Sequence, residues 1–276
     1  MTELLPESFH IKTQEVGTGS GRVVFFHGLM GRGKNFMTAA KGLAETHTSL
    51  LVDLPNHGES GWTERFDYAE QADLLAAVLA GGYAKDVPVN LVGHSMGAKM
   101  AMVLATRHPE LFERVVIVDM GPGATPGPDR GQNTDFTHLL GSLKALDLST
   151  INSRGEAGEA LAEHIPSRTV RGFLLQNLKR GRDGFEWEPN LDLLYASLDV
   201  IGGEPDYGEG HFDGPVLWMG GAKSNYVSTD QLPLMKRLFP RTNRITIKDA
   251  GHWVHSEQPA SFLHVLKTFL GQTFAG

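Results

Sequence analysis

Short apolar runs alternate along the chain with amphipathic stretches. Arg22–Phe26, Thr48–Asp53, Pro88–Gly93, Arg114–Asp119, Pro215–Met219 and Arg244–Lys248 each read as a strand. Most are continuously apolar rather than alternating, the signature of strands buried on both faces of a parallel sheet. Phe9–Val16 alternates more and reads as an exposed antiparallel edge. Apolar residues at helical spacing mark Asp67–Ala80 (Leu74, Leu75, Val78, Leu79), Met96–Arg107, Asp230–Phe239 and Glu257–Leu270. Strand alternating with helix predicts a doubly wound, mostly parallel α/β sheet whose chemistry lies at the carboxyl ends of the strands.

The alternation stops between about Gly121 and Gly210. This stretch opens with Gly121-Pro122-Gly123 and Pro126-Gly127-Pro128, then shows helical pieces at Phe136–Leu146, Glu156–Ile165 and Val170–Leu178 and no convincing strand. We expect residues 1–120 and 211–276 to form the core, and 121–210 a helical cap or lid over the strand ends, since long insertions in compact domains commonly carry function. The plainer reading is a set of connecting helices without substrate contact.

Composition narrows the function classes. The 276 residues are 41% hydrophobic and 21% charged, with a net charge of −7 and no basic run, which argues against nucleic acid or an anionic membrane as partner. With no cysteine, disulfides and thiolate metal sites are excluded. Met1–Phe9 lacks a basic stretch before an apolar run, and no segment approaches a membrane span, so a cytoplasmic protein is expected.

The sharpest chemical signal is Gly93-His94-Ser95-Met96-Gly97, a G-x-S-x-G motif between an expected strand and an expected helix. A strand reversing sharply into a helix pushes the Ser95 hydroxyl out of the sheet at a helix N-terminus, where developing negative charge is favoured. The bland alternative is a helix-capping serine. An oxyanion hole needs two backbone N–H groups aimed at one point. Met96 supplies one, and the turn His27-Gly28-Leu29-Met30-Gly31 offers the amide of Leu29 as the other. The side chains of Leu29 and Met30 are expected to line an apolar acyl pocket.

Of 12 histidines, His252 is the candidate general base. It follows the last strand in Asp249-Ala250-Gly251-His252-Trp253 and comes after both other expected triad members in chain order. His94 is expected to point the other way along the turn, and His27 and His57 to make structural hydrogen bonds. The acid is less ordinary. The loop after Pro215–Met219, where it commonly sits, reads Gly220-Gly221-Ala222-Lys223-Ser224-Asn225 and holds no carboxylate. Asp119, at the end of its own apolar strand, is the remaining candidate. Ser224 is then expected beside Asp119 or His252. The alternative role for Asp119 is a cap at the start of the insertion.

These segments resemble the α/β-hydrolase family, and more closely its small-esterase subgroup of YbfF-like and abhydrolase-domain-11 proteins. The resemblance rests on His27–Gly31, Asp53 through Asn56-His57-Gly58 to Ser60, Gly93–Lys99, Val118-Asp119, Asn177-Leu178, Lys223-Ser224 and Gly251–His255. Ala98 stands where a third glycine is usual, and Leu54-Pro55 replaces a more polar pair. The resemblance implies hydrolysis of small carboxylic esters, often with short acyl chains, without cofactor; separately, no metal is expected, and the protein is expected to be a monomer or homodimer. It implies Asp119 as acid with Ser224 in the usual acid position. His27, Gly28, Met30, His94, Phe173, Asn177 and Trp253 are further expected around the pocket, and Phe136, Trp187 and Tyr195 either there or packing the insertion. Two other readings stay open: a lyase or C–C hydrolase acting on a small carboxylate, which would need arginines such as Arg168, Arg171 and Arg180 facing the site, and a non-catalytic ligand receptor.

Overall fold

A computed structural model describes residues 9–125, 135–182 and 184–271. The Pro126-Gly127-Pro128 run and Met1–Ser8 lie outside the described residues.

The first elements are β1 (Thr13–Val16), β2 (Gly21–Phe26), α1 (Met37–Leu43), β3 (His47–Val52), α2 (Tyr68–Gly81), β4 (Val89–His94), α3 (Met96–Arg107) and β5 (Phe112–Val118). After an interruption, β8 (Val216–Gly221), α9 (Leu232–Leu238), β9 (Thr242–Ile247), α10 (Val254–Glu257) and α11 (Pro259–Leu270) complete the pattern. The interruption holds α4 (Phe136–Ala145), α5 (Arg154–Ala160), α6 (Arg168–Leu175), β6 (Leu178–Arg180), β7 (Phe185–Trp187), α7 (Leu191–Ala196) and α8 (Leu198–Gly202).

Seven strands form one sheet in the order β1-β3-β2-β4-β5-β8-β9. Every neighbouring pair is parallel except β1 with β3, so the expected antiparallel edge is present, shortened to Thr13–Val16. Successive strand residues alternate between two apolar layers. Val24, Phe26, Leu91, Ile117 and Trp218 pack with α2, α3 and α9 on one face, and Val23, Phe25, Val92, Val116 and Met219 with α1 and α11 on the other. Burial on both faces explains why the sequence shows runs instead of alternation.

Three expectations need correction. The insertion does contain strands: β6 and β7 pair antiparallel, each three residues long and too short for periodicity to register. Glu156–Ile165 and Val170–Leu178 are helical only as α5 and α6. The C-terminal helix is two, α10 and α11, separated at Gln258, with Pro259 opening the second.

Candidate active site

The turn from β4 into α3 forces an unusual backbone. Ser95 has φ 55° and ψ −121°, a left-handed conformation unfavourable for a residue with a Cβ and one that marks functional strain. Its side chain does not cap α3, so the capping alternative is not what the geometry holds. The flanking glycines are required by close approach. A Cβ on Gly97 would sit 2.4 Å from the His27 carbonyl oxygen and 2.6 Å from that of Phe26, and one on Gly93 would sit 2.3 Å from the Gly97 carbonyl oxygen.

Ser95 is the first of three buried side chains in a hydrogen-bonded chain. Its Oγ lies 2.9 Å from His252 Nε2, and His252 Nδ1 lies 2.7 Å from Asp119 Oδ2. Asp119 has no exposed surface. A carboxylate so placed needs partners, and it accepts from the Gly221 amide (2.9 Å) and from the Ser224 hydroxyl (2.5 Å) as well. With Nδ1–H donated to Asp119, His252 carries its lone pair on Nε2, toward Ser95. Asp119 has φ 49° and follows β5, which pairs with β4 in register (His94 opposite Val118). Ser95 and Asp119 thus leave the sheet from adjacent strands. The imidazole is also gripped on its face by Tyr226, whose ring stacks at 4.1 Å.

The turn after β2 closes on this group. Gly31 N–H donates to the Gly28 carbonyl (2.8 Å). Gly28 lies so near that a Cβ there would meet Ser95 Cβ at 3.1 Å. Leu29 and Met96 are buried beside Ser95 at this junction. His27 donates from Nδ1 to the Gly28 carbonyl and accepts from the Leu54 amide at Nε2, the expected structural hydrogen bonds. Burial lowers its pKa to about 4. His57 donates to the Pro55 carbonyl, and burial, with His27 alongside, lowers its pKa to about 3. His94 donates from Nε2 to the His252 carbonyl, away from Ser95 Oγ as expected. Burial, with His255 and His252 beside it, drives its pKa well down. His255 falls to about 4, from burial and then His252.

A narrow cleft of about 80 Å³ opens over Ser95. Leu29, Phe36, Phe136, Phe173, Trp253 and His255 supply much of its wall. Of the sequence candidates, His27, Gly28, Leu29, His94, Phe173 and Trp253 line it. Met30 does not: its side chain is wholly buried in the apolar layer, and its carbonyl accepts from Asn177. A left-handed φ of 59° turns this residue inward. Trp187 and Tyr195 also pack elsewhere. Asn177 and Ser224 stand behind the cleft as hydrogen-bond donors. Phe36 and Tyr226 were not singled out from sequence. Tyr226 lies two residues beyond Ser224, but nothing in the sequence says its ring folds back over His252. Among the described residues no group of three or more His, Asp or Glu side chains is arranged to hold a metal ion.

The model of the family described as "Alpha/beta hydrolase family" matches residues 23–265. The chain is 36% identical to the sn-1-specific diacylglycerol lipase ABHD11 of Mus musculus, over 90% of this chain and 80% of that protein. It is 28% identical to Esterase YbfF of Escherichia coli (strain K12), over 90% and 92%. A solved structure described as a marine microorganism esterase superposes with a TM-score of 0.88 at 28% identity, covering 95% of this chain and all of the other.

Proposed function

This chain belongs to the alpha/beta hydrolase family, and we propose that it is a serine carboxylesterase of small ester substrates with short to medium acyl chains. The observation that carries the reading is the hydrogen-bonded chain from Ser95 Oγ through His252 to Asp119, at the floor of an apolar cleft. The names of the ABHD11, YbfF and marine relatives support ester hydrolysis as the reaction class.

In the proposed reaction, His252 Nε2 takes the Ser95 hydroxyl proton as Oγ attacks the ester carbonyl. The negative charge that develops on the carbonyl oxygen is met by the amides of Leu29 and Met96. Asp119 holds the imidazole in the productive tautomer and stabilises its charged form. His252 returns the proton to the departing alcohol. Water, deprotonated by the same nitrogen, then attacks the acyl-enzyme and frees Ser95. Three side chains, two backbone amides and one water supply every group these steps need.

The insertion acts in this reading as a lid, with Phe136 and Phe173 forming part of the acyl-binding wall. No helix among the described residues is long and apolar enough to cross a membrane, and the reading is of a cytoplasmic enzyme working on small esters as a monomer or homodimer. The lyase or C–C hydrolase alternative loses its support. Arg171 donates to the carbonyls of Ile165 and Pro166, Arg180 lies over the Phe185 ring, Arg168 is exposed, and none of them lines the cleft.

The test is hydrolysis of a chain-length series of p-nitrophenyl esters by the wild type and by Ser95→Ala, with a fluorophosphonate probe to label the nucleophile. Turnover and labelling are expected to vanish in the variant. Ester hydrolysis above background in Ser95→Ala would overturn the reading.

A further inference from the structure

Asn177 has no exposed surface and lies just past the end of α6. Its side-chain nitrogen donates to the Met30 carbonyl at 2.7 Å, and more weakly to the Leu174 carbonyl of its own helix at 3.2 Å. Its Oδ1 is buried and without a hydrogen-bond partner among the described residues. Leaving such an oxygen dry is unfavourable, so local satisfaction does not explain an amide here. A leucine of similar branched shape would fill the space without an orphaned side-chain acceptor. What the amide does is reach across to a residue 147 positions away.

That residue is in a delicate place. Met30 directly follows Leu29 and is held at φ 59°, a conformation that persists only where surroundings enforce it. Gln176 Nε2 reaches the same carbonyl at 3.4 Å, and its Oε1 accepts from Asn35 at 3.1 Å. Arg32 pairs with Glu188 at 2.7 Å. The loop is closed on itself by Gly31 N–H on the Gly28 carbonyl, and from the core side it is fixed by Gly33 N–H on Asp53 (2.7 Å). The turn after β2 is therefore clamped between core and insertion, with the shortest bond from the insertion to Met30 coming from Asn177.

We propose that Asn177 is a positioning residue for oxyanion stabilisation. By holding the Met30 carbonyl it fixes the Met30–Gly31 peptide, whose N–H donates to the Gly28 carbonyl. That carbonyl is the other end of the peptide that carries the Leu29 N–H, so the direction of this N–H is fixed with it. The proposal rests on reading Ser95 as nucleophile with Leu29 as an oxyanion donor. A misaimed amide weakens a bond made only as charge develops, so it lowers kcat and leaves substrate binding alone. A residue that only caps α6, or only anchored the insertion, would change stability or KM instead.

The experiment compares the wild type with Asn177→Leu, Asn177→Asp, Gln176→Ala and Ser95→Ala, measuring Tm, kcat, KM and the inhibition constant of an aliphatic trifluoromethyl ketone, a tetrahedral transition-state mimic. In both Asn177 variants kcat is expected to fall on the order of 10- to 100-fold. KM should stay within about 3-fold, and the ketone should weaken in step with kcat. Gln176→Ala, at the longer contact on a partly exposed side chain, should show the same pattern in milder form, and it decides the matter if the Asn177 variants fold poorly. Ketone affinity unchanged while Tm or KM moves, or kcat near wild type, overturns the proposal. Turnover retained in Ser95→Ala would overturn the nucleophile assignment and this proposal together. Turnover lost there, with ketone binding intact in the Asn177 and Gln176 variants, would overturn this proposal alone.

Discussion

Ser224 Oγ donates to the same carboxylate oxygen of Asp119 that receives the Nδ1–H of His252. The serine occupies the loop after β8, where this fold commonly carries the acid, and in the proposed triad the acid sits instead at the end of β5. Ser224 thus orients Asp119 but does not replace it. Asp119→Asn is expected to lower kcat by about 10³- to 10⁴-fold, because an amide cannot hold the required tautomer. Ser224→Ala should lose about 10-fold or less, since the Gly221 amide still fixes the carboxylate. Side-by-side p-nitrophenyl ester kinetics check this; a larger loss for Ser224→Ala than for Asp119→Asn would return the acid to the β8 loop.

Four histidines around the site have depressed pKa values. His27 and His255 fall to about 4, His57 to about 3, and His94 well below the ordinary value. All are neutral when folded at mild acidity, whereas their unfolded counterparts protonate near pH 6.5. The unfolded state therefore binds more protons below that pH, and stability decreases as the pH is lowered. Their contribution is complete above about pH 6.5 and is lost as pH drops toward 4. Tm should decline steadily between pH 6.5 and 4, and His57→Gln should flatten part of the decline. A Tm independent of pH across this window would contradict the burial argument.

Gly97→Ala should destabilise the fold by about 1–3 kcal/mol. The added Cβ meets the backbone carbonyls of Phe26 and His27, which cannot swing aside as a side chain would. Because these carbonyls start the turn bearing Leu29, activity per folded molecule should drop as well. Urea denaturation and active-site titration separate the two effects; a variant as stable and active as wild type would show that β2 yields easily.

Phe173 faces Trp253 across the cleft, with ring centroids 6.1 Å apart. Phe173→Ala should lengthen the acyl pocket, raising kcat/KM for decanoate relative to butyrate esters by roughly 10-fold. The p-nitrophenyl series measures this ratio directly. An unchanged profile would assign Phe173 to packing of the insertion.

The sheet was readable because its inner strands are buried on both faces and so appear as unbroken apolar runs. The G-x-S-x-G turn was readable because its glycines answer to fixed backbone clearances. Asp119 was reachable by elimination, since the β8 loop holds no carboxylate. Met30 was misjudged because its neighbour Leu29 does face the cleft, and a left-handed backbone reverses the next side chain without any mark in the residue type. The β6–β7 hairpin escaped because three-residue strands have no period to detect. Tyr226 and Phe36 reach the site through tertiary folding alone.

The placement of Asp119 divides the site mechanically. Ser95 and Asp119 stand on two strands laced together at the centre of the sheet, so their separation is as rigid as the sheet itself. His252 arrives on a separate arm, beyond the edge strand β9, most of whose residues are exposed. Loosening that arm would disarm the site while leaving both fixed posts and the core intact. An inactive yet folded population would then arise first at the sheet margin, where slow hydrogen exchange in β4 and β5 would coexist with fast exchange in residues 242–257.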